Sequence, residues 1–237
     1  MTIFNNFRKI SGLKVNFDKT HIVPLGPIKN NYRILLPETN IKWTTEPIKT
    51  LGINLSANLK NILDINYGPV KDKIINILNI WSQRNLTLYG KTTVIKSHVV
   101  SQLVYLMSVL PSPGVDYLKE IQSKMFKFLW NNKPEKIRRR ILYLDKNAGG
   151  LKFPNMEVQE KCLKIAWVKR FHENINLSIF VHSQFGEIGP LFWECNLNVK
   201  DLHMVFPPKS NNIFLKEIIN AWCQYKYHIA ERKDTLL

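Results

Sequence analysis

Residues 81–96 read WSQRNLTLYGKTTVIK, and the interpretation of the whole chain depends on this stretch. It joins two segments with helical apolar spacing through a turn that carries Arg84, Gly90 and Lys91. Because Trp81 continues the helical spacing of the apolar residues before it, we expect it to pack in the core rather than to stack on a base. Arg84 and Lys91 are the better candidates for phosphate contact, because cations and helix N-termini both attract anions.

Helices are predicted over most of the chain after residue 55. Proline is tolerated in the first turn of a helix, so Gly68-Pro69 predicts a helix start. Five segments carry apolar residues at helical spacing, at about 68–81, 91–110, 115–130, 155–173 and 212–230. Short connections join the first three, which predicts an antiparallel bundle.

The first 55 residues predict a small β-rich layer. Residues 1–10 have the spacing of a helix end, and Ser11-Gly12 supplies its stop. Strands are predicted at 13–17, 21–24, 32–36, 41–45 and 48–55, and residues 136–144 predict a later extended segment.

The expected fold class is α+β and mainly α. It comprises a small antiparallel sheet, a three-helix bundle and a helical C-terminal extension. The expected domain ranges are 1–55, 56–150 and 151–237.

The charge balance favours a polyanionic partner. Lys and Arg total 34 against 18 for Asp and Glu, a formal net charge of +16. Such an excess is typical of nucleic-acid binding, although it also occurs in proteins whose charge serves only solubility. Lys96 follows the junction, and Arg138, Arg139 and Arg140 form a compact basic cluster. We therefore predict that these cations contact nucleic acid together with Arg84.

Cysteine usage and hydropathy indicate an intracellular protein. The three cysteines are far apart and odd in number, which argues against a disulfide framework and favours the cytoplasm or the nucleus. The longest apolar run, residues 99–110, is interrupted by Ser101, Gln102 and Ser108, so it is too short and too polar to cross a bilayer. The sequence contains no compact Cys/His cluster, so no metal site is predicted.

The sequence contains no recognisable catalytic centre. Gly90-Lys91-Thr92 resembles the end of a P-loop, but Asn85 stands where that motif needs its first glycine. Polymerase and nuclease chemistry needs clustered carboxylates to hold divalent ions, and no two acidic residues are adjacent in this chain. No catalytic residue, metal ligand or cofactor is therefore predicted here.

Several motifs, in order, resemble the reverse transcriptases of non-LTR (LINE-type) retrotransposons. Residues 81–96 fit the thumb pattern W-x-x-R-x-L-[ST]-x-x-G-[RK] followed by Ile-Lys. The other matching stretches are Ser11-Gly12-Leu13-Lys14-Val15-Asn16 with Lys19-Thr20, Leu51-Gly52-Ile53, Phe128-Leu129-Trp130-Asn131, and Gly149-Gly150-Leu151 with Pro154. Each motif is weak alone, but five in order across residues 7–155 are specific.

The resemblance implies the end of a palm, a thumb and part of a C-terminal linker. The family's aromatic-Ala-Asp-Asp motif, its fingers and its Mg²⁺ site would lie upstream of Met1. This chain is therefore expected to contact an RNA template, an RNA–DNA duplex or a DNA duplex without polymerising alone, and magnesium is expected only in the intact polymerase. In this interpretation Arg84, Lys91 and Lys96 hold the duplex backbone, and Lys14 and Lys19 are further candidate contacts.

A non-enzymatic interaction module is the alternative hypothesis. There the basic charge would serve solubility or acidic protein partners. Duplex affinity measured against salt distinguishes the two hypotheses, because phosphate contacts release counterions on binding and predict an affinity that falls with salt.

Overall fold

The computed structural model describes residues 2–16, 19–23, 42–44, 46–56, 61–174 and 212–234. The chain divides into two compact units, Met1–Asn66 and Tyr67–Leu237. Helices dominate, and the small antiparallel sheet is present, so the predicted α+β, mainly α class is confirmed. The predicted domain ranges stay a prediction.

In the first unit, helix α1 spans Thr2–Ser11, as predicted. Gly12 ends it in the left-handed region at φ 71°, where its N–H donates to the Arg8 carbonyl at 2.9 Å. The strand predicted at 13–17 is wrong for residues 13–16, and Phe17 lies outside the described residues. The Ser11 hydroxyl accepts from the Leu13 N–H at 3.2 Å and Leu13 is 65% exposed, so the alternation there does not mark a buried strand face.

The described residues of the first unit then form four short strands. Strand β1, His21–Ile22, pairs in parallel with β2, Lys42–Trp43. The single strand predicted at 48–55 is instead an antiparallel hairpin of β3, Ile48–Thr50, and β4, Ile53–Leu55. Its turn at Leu51-Gly52 has φ 49° and 84°, a left-handed geometry that reverses the chain. The strand predicted at 32–36 lies outside the described residues.

Helix α2 spans Ile62–Ser82, so the predicted start at Gly68-Pro69 is wrong. Proline has no N–H for the carbonyl four residues earlier, that of Ile65. The Asn54 side-chain amide donates to this carbonyl at 3.2 Å, so the helix continues through Pro69 without an orphaned acceptor. Asn54 is distant in sequence, and therefore the local pattern did not reveal the longer helix.

The second unit contains a helical bundle. A continuous rod comprises α3, Leu88–Val94, a π-helical segment, Ile95–Val100, and α4, Ser101–Val109. Among the described residues, the other helical elements are α5, Val115–Leu129; α6, Arg139–Tyr143; a 3-10 turn, Lys146–Ala148; α7, Met156–Glu173; and α8, Ile213–Asp234. Helix α7 packs against α4, α5 and α8.

The core lies along the apolar faces of α2 to α5 that the sequence pattern indicated, whereas the apolar face predicted for α7 is wrong, because Val158 and Cys162 are exposed and Glu160 and Lys164 are buried. Its fully buried side chains include Ile74, Ile95, Leu103, Ile121, Met125, Leu129, Leu142 and Met156. A cluster from α7 and α8 comprises Val168, Phe171, Leu215 and Ile218. No helix within the described ranges is long and apolar enough to cross a membrane.

The extended segment predicted at 136–144 is wrong, because residues Arg139–Tyr143 form α6. Leu142 is buried, and its carbonyl accepts from the N–H groups of Leu151 and Phe153 at 3.2 and 2.9 Å. These bonds fold the following turn back onto α6. Gly150 allows this close return, since a Cβ there would lie 2.1 Å from the Leu144 carbonyl oxygen.

Candidate nucleic-acid interface

A polar cleft lies at the turn between α2 and α3. This junction cleft has a volume of about 540 Å³. Its lining residues are Ser82, Arg84, Asn85, Leu86, Thr87, Lys91, Asn131 and Asn132. Thr87 begins α3 as its N-cap, and its hydroxyl accepts from the Gly90 N–H at 3.2 Å. The turn thus places Arg84 and Lys91 around one concave surface.

Lys91 has a structural role at this cleft. The residue is only 3% exposed. Its ammonium donates to the carbonyls of Phe128 and Leu129 at 3.1 and 3.2 Å and to the Asn131 side-chain oxygen. Burial lowers the pKa of Lys91. All three ammonium protons have protein acceptors, so Lys91 closes the C-terminal end of α5 and offers no proton to a phosphate in this arrangement.

The chain leaves α5 through two consecutive left-handed residues. Asn131 and Asn132 have φ values of 52° and 58°. Asparagine tolerates this region better than most residues, and the Asn132 N–H donates to the Lys127 carbonyl at 2.8 Å. The bond from Lys91 to Asn131 fixes this turn against α3, which sets the shape of the cleft.

Arg84 is the exposed cation of the junction cleft. Its guanidinium lies 4.6 Å from the centroid of the Trp81 ring, a cation–π contact that orients the planar donor group. Trp81 is half-buried and stacks on His98, with ring centroids 5.4 Å apart and planes inclined by 27°. Arg84 is therefore held in place while it remains accessible to solvent.

A second basic surface contains Lys96. We call Tyr89, Lys96, Lys146 and Lys152 the lysine face. Lys146 approaches the Tyr89 ring at 5.7 Å from its centroid, and Lys152 pairs with Asp145 at 3.1 Å. The pKa of Lys96 is lowered, first by burial and then by repulsion from Lys146 and Lys152, with Asp145 opposing. Three lysines therefore share one acidic neighbour within this face, which leaves an excess of positive charge.

Sequence reasoning missed Lys146, Lys152 and Tyr89. The available signal was the Gly149-Gly150 turn, because it folds the chain back between the two lysines. The approach of Lys146 and Lys152 to α3, however, depends on the tertiary packing of that turn. The periodicity of α3 alone could not have predicted this approach.

The other predicted contacts do not form one site. Arg138, Arg139 and Arg140 are all exposed on or beside α6. Arg139 pairs with Glu135, with its Nε 2.9 Å from one carboxylate oxygen, and lies 4.2 Å from the Phe126 ring centroid. Arg139 therefore braces α6, whereas its two neighbours remain candidate phosphate contacts.

Lys14 and Lys19 are exposed in the first unit. The junction cleft and the lysine face belong to the second unit. Contact of Lys14 and Lys19 with nucleic acid stays a prediction.

Two further observations concern metal binding and family membership. Within the residues that the structure describes, no three His, Cys, Asp or Glu side chains are placed to hold a metal ion. No protein-family model matches the chain. The resemblance to non-LTR reverse transcriptases therefore stays a prediction from the ordered motifs.

Proposed function

We propose that this chain binds the backbone of a nucleic-acid duplex as the thumb-like part of a non-LTR retrotransposon reverse transcriptase. The main support for this proposal is the arrangement of cations on and beside α3. Arg84 is exposed at the junction cleft, and in the lysine face Lys146 and Lys152 lie close enough to Lys96 to lower its pKa. Both features accompany a net charge of +16.

Phosphates suit this arrangement. A guanidinium oriented over an aromatic ring presents a planar set of donors that matches phosphate oxygens, as it also matches carboxylates. The lysines contribute positive potential over several ångströms, which attracts a backbone without reading bases. In this proposal Arg84 contacts phosphate, and Lys91 acts as a positioning residue that shapes the cleft.

In this proposal the chain holds a template–primer duplex but does not polymerise by itself. Phosphoryl transfer by a polymerase needs clustered carboxylates and their divalent ions, and no two acidic residues are adjacent in this chain. Primer extension with magnesium and all four deoxynucleotides is expected to yield no product. Incorporation that depends on a residue of this chain would contradict the proposal.

Binding of a short blunt RNA–DNA duplex across a salt series tests the proposal. The logarithm of the association constant should fall linearly with the logarithm of salt concentration, by about 0.9 for each phosphate contact on a B-form duplex. Arg84→Ala should weaken binding by roughly 5- to 30-fold and reduce the salt slope by about 1.

Lys73→Ala is the matched control, because it removes one exposed positive charge from α2, the helix after which Arg84 lies. It should leave the affinity and the slope nearly unchanged. A salt-independent affinity would refute binding through the phosphate backbone and favour the protein-interaction alternative. Equal behaviour of Arg84→Ala and Lys73→Ala would refute the role of Arg84.

A further inference from the structure

A second cleft borders the lysine face and differs from the junction cleft in its chemistry. This side cleft has a volume of about 520 Å³. Such a volume falls in the range of roughly 300–1,000 Å³ that small-molecule sites occupy. Lys96 and Lys152 line it together with Val100, Tyr143, Val158 and Gln159. It therefore combines cations with apolar and aromatic side chains.

The π-helical segment supplies one wall of the side cleft. Lys96 and Val100 both belong to Ile95–Val100, where the helix turn is wider than in an α-helix. The hydroxyls of Ser97 and Ser101 donate to carbonyls four residues earlier at 2.8 and 2.6 Å, which supports the widened turn. Short π-helical segments occur frequently at functional sites. Here the segment brings a lysine and an apolar side chain to the same cleft.

An aromatic group backs the opposite wall. Tyr143 is half-buried and meets the Phe126 ring edge-to-face, with centroids 6.3 Å apart. Phe126 in turn stacks on Phe153 at 4.7 Å. Burial raises the pKa of Tyr143. Its hydroxyl, like that of any tyrosine at neutral pH, is protonated and can donate a hydrogen bond. These contacts make the wall rigid, as a platform for a planar ligand requires.

The cations and the apolar walls of the side cleft match the phosphate and the base of a nucleotide. Lys96 and Lys152 supply cations for a phosphate. The walls formed by Tyr143, Val100 and Val158 suit the faces of a base, and the Gln159 amide can donate to or accept from its polar edge. A paired base would present only its edge, because its faces are covered by stacking in the duplex.

We propose that the side cleft holds one unpaired nucleotide next to the end of the bound duplex. This inference rests on the proposed function, since the duplex brings the strand to the lysine face. The base enters between Val158 and Tyr143, and its phosphate lies at Lys96 and Lys152. Recognition is independent of sequence, because stacking on side-chain walls accepts every base.

The test compares three duplexes with the same paired region. One is blunt, one carries a single unpaired nucleotide, and one carries an abasic nucleotide at that position. The complete protein should bind the duplex with the unpaired base about 10-fold more tightly than the blunt duplex. The abasic duplex should bind within about twofold of the blunt one, since it lacks the stacking surface. Equal affinity for the abasic and complete overhangs would overturn the base-binding site.

Val158→Glu and Val115→Glu form a matched pair of variants. Each valine is 54% exposed in the first turn of its helix, α7 for Val158 and α5 for Val115. Both substitutions add one negative charge, but only Val158 lines the side cleft. Val158→Glu should abolish the preference for the unpaired base, whereas Val115→Glu should retain it. Equal preferences in the two variants would overturn the proposal.

The blunt duplex separates the two claims. Salt-dependent binding of the blunt duplex with no gain from the overhang would refute the nucleotide site alone. No salt-dependent binding of any duplex would refute the proposed function together with this inference.

Cys162 provides a readout that does not depend on affinity. It lines the side cleft and is exposed, whereas Cys223 is buried. Saturating duplex with the unpaired base should slow alkylation of Cys162, measured on its tryptic peptide by mass spectrometry. Saturating blunt duplex should not slow it. Equal alkylation rates under both conditions would place the unpaired nucleotide elsewhere.

Discussion

Replacing Lys91 with alanine should destabilise the protein strongly, although a lysine in a basic motif is usually assigned to a ligand. Lys91 is 3% exposed and donates to the carbonyls of Phe128 and Leu129 and to Asn131. Alanine would leave two carbonyls at the end of α5 without these donors.

The magnitude follows from the three bonds together. Hydrogen bonds to a charged group contribute roughly 1.5–3 kcal/mol each, and an orphaned buried acceptor costs about 1–3 kcal/mol. Two effects reduce the sum. The Phe128 carbonyl still accepts from the Asn131 N–H at 3.3 Å, and removal of a buried ammonium recovers its desolvation cost. We expect a net loss of about 3 kcal/mol, which lowers Tm by roughly 6–12 °C for a unit of this size.

Thermal and urea unfolding followed by the helical circular-dichroism signal measure this loss. Lys127→Ala is the control, because it removes an exposed cation from the last turn of the same helix. Its expected cost is below about 1 kcal/mol, the usual value of a cation near a helix C-terminus. Asn131→Gly keeps the left-handed backbone at φ 52° and removes only the side-chain acceptor, so it should cost less than Lys91→Ala.

Equal unfolding midpoints for Lys91→Ala and Lys127→Ala, in heat and in urea, would refute the role of Lys91 in closing the C-terminal end of α5. A stable Lys91→Ala protein with weakened duplex binding would instead restore Lys91 as a phosphate contact. The combination of stability and binding therefore separates a residue that shapes the cleft from one that touches the ligand.

Two further substitutions test the turn and the buried charge. Gly150→Ala would place a Cβ 2.1 Å from the Leu144 carbonyl oxygen, and its thermal midpoint should reflect a loss above about 3 kcal/mol. Gly149→Ala, at φ 77° in open space, should cost only about 1 kcal/mol; equal losses would contradict the steric account. Burial raises the pKa of Glu160 despite the opposing charge of Lys164, so the native state retains its proton to higher pH than the unfolded chain and loses stability as the pH rises above 4.5. Glu160→Gln should therefore raise the urea midpoint at pH 7 and lose this advantage below about pH 4; a gain that persists there would contradict the buried-carboxylate account.

The helix best predicted from sequence has both a periodic apolar face and local end signals. This is α5, which lies between Gly114 and the Asn131 turn. Helix α7 has the Asn155 cap, but its buried side includes Glu160 and Lys164, which an apolar pattern does not indicate. Such signals act over a few residues, so a single sequence contains them. The fold class followed from the same local patterns.

The elements that the sequence mispredicted depend on distant contacts. Helix α2 runs through Pro69 because Asn54 satisfies a carbonyl that proline leaves without a donor. The segment 136–144 forms α6 because Leu142 is buried and its carbonyl binds the returning chain. Neither partner is recognisable from spacing, since hydrogen bonds across many residues leave no periodic signature.

The same distinction explains why the motif at residues 81–96 indicates the scaffold better than the contacts. Lys91 must reach three acceptors in fixed positions, and Thr87 must cap one helix end, so their spacing is strict. A phosphate accepts cations from a wide range of positions, because electrostatic attraction depends weakly on direction. Lys146 and Lys152 can therefore serve the surface from a separate turn outside the motif. In the proposed backbone-binding surface, Lys91 and Thr87 shape the cleft and Arg84 comes from the motif, whereas Lys146 and Lys152 are found only from the folded structure.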